Sequence, residues 1–98
     1  MSDLRFEWDD RRNGQNRRKH GVSFEEAESV FSDEWALLIA GPEHSDAEDW
    51  FVLIGLSTAA RTLVVCHCLR AGGDVIRIIS ARKADRTERS QYRHRLER

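Results

Sequence analysis

The sequence is poor in the features that would take it outside the class of small folded domains. It has one proline and six glycines in 98 residues, which excludes collagen-like and low-complexity chains. No apolar run approaches the roughly 18 residues that cross a bilayer, so no transmembrane helix is expected. The opening Met1-Ser2-Asp3-Leu4-Arg5 lacks the apolar centre of a signal peptide, and the expected location is the cytoplasm. There are only two cysteines, Cys66 and Cys68. On a strand they point to one face, about 6.5–7 Å apart, which is poor geometry for a disulfide. His67 between them points to the other face and no second ligand pair follows, so buried thiols are favoured over a metal site. Also missing are a glycine-rich phosphate loop, a paired-cysteine zinc pattern and a dinucleotide fingerprint. The acidic residues Glu43, Asp46, Glu48 and Asp49 do not have calcium-loop spacing. No metal and no cofactor are expected.

What is present fits one domain over residues 1–98. Apolar residues make up 40% of the chain, enough for a core that buries about 60–65% of the unfolded surface. The net charge of −1 argues against a uniformly basic nucleic-acid binder, but the charge is unevenly spread. Residues 1–22 hold six Lys/Arg and four Asp/Glu, whereas residues 23–50 hold none and nine. Residues 51–70 hold two and none, and residues 71–98 hold eight and four. A basic start, an acidic middle and a basic end can offer separate faces to partners of opposite charge.

Phe6-Glu7-Trp8 alternates as a short strand does. Asp9 to Gly21 contains no apolar residue and reads as a polar helix of about two turns closed by the glycine. Such a helix buries no apolar face, so it must be loosely attached or held against something charged. Ser23 and Glu26 have the spacing of a capping box, and Phe24, Ala27, Val30 and Phe31 then fall on one helical face. Strands are expected at Trp35–Ala40, Trp50–Leu56, Arg61–Leu69 and Val75–Ala81. Gly41-Pro42 and an acidic loop to Asp49 break the first from the second, and Gly72-Gly73 marks a hairpin. Asp85 and Glu88 offer a second capping pair for a basic helix that runs to the end, anchored by Tyr92 and Leu96. Four successive strands with short links favour an antiparallel meander, and flanking helices make the class α+β.

Three clusters carry chemistry. Arg11, Arg12, Arg17, Arg18, Lys19 and His20, interleaved with Asn13, Gln15 and Asn16, suit phosphate, sugar and base contacts; a solvated helix face is the competing reading. Beside a terminating glycine, His20 stands at the negative end of a helix, suited to carrying a proton as a general acid. Arg77 lies among β-branched residues, where an arginine either pairs with an internal carboxylate or points into a cleft. Strand alternation sets Val75, Arg77 and Ile79 on one face and Ile76, Ile78 and Ser80 on the other. The third cluster is Arg82-Lys83 with Arg86, Arg89, Arg93, Arg95 and Arg98, either a solvated face or an RNA-binding ridge. His67 reads as a satisfied core histidine or, if the two last strands pair, as a titrating group sharing a face with Arg77.

In order along the chain, Phe6-Glu7-Trp8-Asp9, Asn13, Asn16 and Lys19-His20-Gly21-Val22-Ser23-Phe24-Glu25-Glu26-Ala27 are followed by His44-Ser45 with Glu48. Next come Gly55-Leu56-Ser57, Arg77-Ile78-Ile79-Ser80-Ala81-Arg82-Lys83-Ala84, Glu88-Arg89 and Tyr92. Together these resemble the BrnT-type toxins of bacterial type II toxin–antitoxin systems, over roughly residues 6–92. The resemblance implies a RelE-like fold: a mostly antiparallel meander flanked by two N-terminal helices and one C-terminal helix. It also implies metal-independent endoribonuclease activity without a cofactor, inhibition of translation, and neutralisation by a BrnA-type antitoxin through which alone operator DNA is reached. The sequence departs from the family in three places. Asp49-Trp50-Phe51 removes an arginine that usually precedes the aromatic, Trp35 stands where proline is common, and Ala60-Arg61 replaces Gly-Arg.

RNA cleavage without a metal needs a base for the 2′-hydroxyl, an acid for the leaving 5′-oxygen and cations for the added charge. The expected catalytic set is His20 as acid or base with Lys19, Arg77 and Arg82 on the phosphate. Arg61, Lys83 and Arg89 would bind the RNA backbone, with His67 as a reserve acid–base group. Part of the acidic middle, with Glu25, Glu26, Glu28 and Trp35 or Trp50, is expected to dock the antitoxin. The rival reading is a non-catalytic RNA- or protein-binding module of the same fold. No membrane partner is expected.

Overall fold

The computed structural model describes residues 4–40 and 50–97. The expected acidic loop and the His44-Ser45 and Glu48 part of the resemblance lie outside them. The elements are β1 (Arg5–Glu7), α1 (Asp10–His20), α2 (Phe24–Ser29), β2 (Leu37–Ala40), β3 (Trp50–Leu56), β4 (Thr62–Arg70), β5 (Val75–Lys83) and α3 (Arg86–Leu96). Short 3-10 turns occupy Val30–Ser32 and Ala71–Gly73. Among the described residues no helix is long and apolar enough to cross a membrane.

The class is α+β, with the sheet order β1-β5-β4-β3-β2. Strands β2 to β5 form the expected antiparallel meander. Strand β1 joins the far side of β5 in parallel, Glu7 opposite Arg77, so the sheet is mixed. The meander left one side of β5 open, and the first strand fills part of it.

Each sheet face buries its own cluster. On one, Val22, Phe24, Ala27 and Val30 pack on Leu53, Leu63, Val65, Ile76, Ile78 and Ala81, with Phe6, Trp8, Phe31 and Ala36 at the margin. On the other, Tyr92 of α3 packs with Ile54, Val64 and Ala84, beside Leu37 and Val52. Strand β3 crosses closely under the first layer: a Cβ on Gly55 would stand 2.9 Å from both Ala36 Cβ and Val30 Cγ1. Glycine is therefore required there to let the backbone approach.

Several boundaries differ from expectation for local reasons. Asp33 accepts from the Trp35 N–H at 2.9 Å and its carbonyl accepts from the Ala36 N–H at 3.1 Å. That turn delays β2 to Leu37. Helix α1 has three turns rather than two: Asp9 caps its first turn by accepting from the Arg11 and Arg12 N–H groups, and Gly21, at φ 70°, closes it. In β5 the expected alternation fails at a bulge. Cys66 pairs with Ser80 but His67 pairs with Ile78, leaving Ile79 without a partner. The core side of β5 is therefore Ile76, Ile78 and Ala81, and Ser80 moves to the opposite face.

The polar helix α1 is held by amides. Asn16, buried, donates to the carbonyls of Val22 (2.8 Å) and Ala81 (2.7 Å) and accepts from the Ala81 N–H (3.2 Å). Asn13 accepts from the Phe24 N–H and donates to Glu25, both at 2.9 Å. A buried side chain that satisfies backbone groups in this way avoids the cost of leaving them unpaired.

Candidate functional site

Strand β1 covers β5 only as far as Arg77. Beyond that point the edge of β5 meets α1, and Asn16 makes with Ala81 the two bonds that a neighbouring strand would make. Just ahead of that contact the bulge at Ile79 turns the edge aside, and a groove of about 280 Å³ opens. It is lined by Arg12, Gln15, Asn16, Lys19 and His20 from α1 and by Ile79 and Ser80 from β5. The last turn of α1 carries Arg17, Arg18, Lys19 and His20, at the helix end where cations are favoured. The fold thus brings Lys19 and His20 against the segment between Arg77 and Arg82.

Those two arginines lie on the sheet face that α1 does not cover, since Arg77 pairs with Cys68 and Arg82 with Val64. Arg77 donates to Glu7 at 3.0 Å, and Glu7 also faces Arg70 at 3.5 Å. Arg82 forms a two-pronged pair with Glu88, both bonds 2.7 Å. Glu88 in turn accepts from the Asp85 N–H as half of the α3 capping box. Bonding to Arg82 above all holds the Glu88 carboxyl below its ordinary pKa. Of the two alternatives its sequence context allowed, Arg77 thus takes the carboxylate partner, although Glu7 is half-exposed rather than internal.

The remaining basic candidates are dispersed. Arg61 grips Glu26 through two nitrogens and donates to the Gly21 carbonyl at 3.1 Å. Ser57 completes the cluster by donating to Glu26 at 2.6 Å. Arg89 donates to the Ala84 carbonyl at 2.7 Å, and Lys83 is exposed at the end of β5. His67 is 3% exposed, packed edge-on to Phe31 at 4.8 Å and stacked on Phe51 at 5.9 Å. Burial pushes its pKa down, opposed by the Val65 carbonyl, so a neutral imidazole is favoured there. The expectation that His67 and Arg77 share a face fails: His67 pairs with Ile78 and Arg77 with Cys68, on opposite sides of the sheet.

Two further expectations are corrected by the bonding. Asn13 and Asn16 face the protein backbone, which leaves Gln15 as the α1 amide available to the groove. Glu26, expected on a docking face, is the buttress of Arg61, whose bond lowers the Glu26 pKa.

Sequence reasoning missed a second polar junction. Asp33 accepts from the Tyr92 hydroxyl at 2.6 Å and from the Leu56 N–H at 2.8 Å, while Arg95 donates to the Trp35 carbonyl at 2.8 Å. This pins α3 to the turn before β2. Only the short polar break Ser32-Asp33-Glu34 between two apolar stretches hinted at it. Cys66 and Cys68 carry thiols; burial, then the neighbouring Cys68, raises the pKa of Cys66, against a bond from Ser80.

The comparisons with known proteins agree with one another. The family described as "Ribonuclease toxin, BrnT, of type II toxin-antitoxin system" matches residues 8–88. The fold is similar to the 1.1 Å crystal structure of the Brucella abortus ribonuclease toxin BrnT, with a TM-score of 0.60 at 22% identity. That likeness covers 85% of this chain and 99% of the other. No curated protein matches. The family match spans most of the chain and runs through both the α1 turn and the β5 segment that form the groove: the chain belongs to the BrnT family of ribonuclease toxins of type II toxin–antitoxin systems.

Proposed function

We propose that this chain is a metal-independent endoribonuclease of RelE-like architecture that halts translation in the bacterial cytoplasm and is neutralised by a BrnA-type antitoxin. The observation that carries this reading is the groove at the β5 edge, where Lys19, His20 and Arg12 meet Ser80 and Ile79. An imidazole and two cations around one opening supply a proton-transfer group and the charge stabilisation that cleavage of a phosphodiester requires. The RNA 2′-hydroxyl attacks the adjacent phosphorus as its proton leaves to a base. The bond to the 5′-oxygen breaks as that oxygen takes a proton from an acid. His20 is assigned as acid or base, with solvent water in the other role, and Lys19 is assigned to stabilise the phosphate charge. Arg77 and Arg82, which bracket Ser80 along β5 on the face away from α1, are assigned to neighbouring phosphates of the bound RNA. Lys83 would guide the backbone past the sheet. Arg61 and Arg89 would act through shape, since their donors are held by Glu26, Gly21 and Ala84. His67, buried, drops out of the reading as acid–base reserve.

The test is RNA cleavage in EDTA by purified chain and variants. His20→Ala and Arg77→Ala are expected to keep native circular dichroism and to lose cleavage by at least about 100-fold. Full activity in both would overturn the assignment. The rival reading, a binding module without catalysis, draws on the pairing of Arg77 and Arg82 with Glu7 and Glu88, which leaves less unpaired positive charge for a phosphate. RNA bound but uncut by the wild-type chain would establish it.

A further inference from the structure

The two edges of the sheet are treated differently by this chain. On one side β1 is three residues long, two of them charged, and the rest of β5 is closed by Asn16. On the other side stands β2, the terminal strand in the sheet order. Its sequence is Leu37-Leu38-Ile39-Ala40, with no charge and no proline. Charge and proline are two of the devices by which native sheets blunt such an edge.

The direction of its backbone groups follows from the ladder. The Leu56 N–H points to the β2 side, where Asp33 accepts it. Alternation along β3 then turns Ile54 and Val52 toward β2, opposite Leu37 and Ile39. Leu38 and Ala40 therefore direct their N–H and C=O groups away from the sheet. The same alternation carried across to β5 turns the Ala81 groups outward, where Asn16 meets them. The β2 edge also exposes apolar surface: Leu38 is 57% exposed, Ile39 40% and the preceding Trp35 51%.

We propose that β2 is a docking edge for an extended segment of a protein partner, apolar at its centre and carrying Lys or Arg at its ends, added as a sixth strand beside Leu37–Ala40. Main-chain bonds at Leu38 and Ala40 supply attachment, and the exposed side chains supply pockets for alternate residues. Charge selects this occupant over a second copy of the chain. Residues 23–40 hold five acidic residues and no basic one, and of these Glu34 is exposed just ahead of the strand. Pairing two such edges sets acid against acid, whereas a basic-flanked strand is attracted. The proposal rests on the reading that the chain has a protein antitoxin, and it says where and how that protein holds it.

The experiment uses the full chain with its cognate antitoxin protein. Amide hydrogen exchange is measured on the free chain and on the complex, and affinity is measured for the wild type, Leu38→Pro and Glu34→Lys. The proline removes an outward N–H and none of the β2–β3 ladder. Slowed exchange at Leu38 and Ala40 in the complex is expected. Leu38→Pro should weaken binding about 100-fold while free Leu38→Pro retains RNA cleavage. Glu34→Lys should weaken it severalfold at low salt and less at high salt. A complex in which β2 exchanges as fast as in the free chain overturns the proposal and leaves the antitoxin reading intact. So does unchanged affinity in both variants. Concentration-dependent protection of β2 in the isolated chain overturns it in favour of a second copy. Failure of the wild type to form any complex overturns the antitoxin reading and the docking edge with it.

Discussion

At the scale of single residues, two positions make separate claims. Ala60 has a φ of 61°, in the left-handed region where a Cβ costs roughly 1–2 kcal/mol. Ala60→Gly is therefore expected to stabilise the chain by about 1 kcal/mol, less the entropy glycine adds to the unfolded state, read as an upward shift of thermal midpoint. A lower midpoint would show that the turn bears no strain. Tyr92 is the chain's one tyrosine, which makes its titration readable without interference. Burial, and then the bond to Asp33, pushes its pKa up to about 12. Phenolate absorbance is expected to stay absent until near that pH in the native chain. Asp33→Asn, by removing the neighbouring negative charge, should move the onset downward. An onset at the ordinary tyrosine pH, near 10, would dissolve the Asp33–Tyr92 junction.

At the scale of elements, the question is what holds a helix that has nothing to bury. The apolar periodicity of α2 and the β-branched strands was readable from sequence because burial and pattern are the same fact there. Phe24, Ala27 and Val30 fill the core as their spacing predicts, with Phe31 at its margin. Helix α1 broke that link. Its hold comes from Asn16 and Asn13, whose amides look in sequence like any other polar residue of a solvated face or an RNA contact. The parallel pairing of β1, the Ile79 bulge and the Arg82–Glu88 and Arg61–Glu26 pairs were likewise illegible. Each depends on which strand or turn arrives alongside, and no local pattern encodes that. For the site, the Lys19-His20-Gly21 turn and the β5 segment were legible, and their meeting at a groove was not. Asn16→Ala leaves the Ala81 N–H and two carbonyls without their partner inside the protein, and is expected to cost about 2–3 kcal/mol. Hydrogen exchange should show the loss in α1 and the β5 edge first, with α3 least affected. Uniform exchange across the chain would mean that α1 is fastened by something else.

At the scale of the whole molecule, the carboxylates that bind the layers together titrate as a set. Bonding to Arg61 lowers the pKa of Glu26, and bonding to Arg82 that of Glu88. For Asp33 burial acts upward, but the bonds from Leu56, Tyr92 and Trp35 outweigh it and the pKa is lowered. A depressed folded pKa contributes stability that is fully present above the unfolded value, near 4, and is lost as pH falls through the folded value. Resistance to denaturant is therefore expected to fall on acidification below about pH 4, and Glu26→Gln should flatten that limb. A stability that holds level below that pH would contradict the three bonded carboxylates. The unequal edges of the sheet have their own consequence for how this chain behaves in numbers. A fibre grows because every subunit offers two sticky borders, one for the subunit before it and one for the subunit after. Here one border is sealed by an asparagine amide and a short charged strand, so any stacking along the sheet terminates at a single added member. A cell that accumulates this protein without its partner would meet no polymers grown along the sheet.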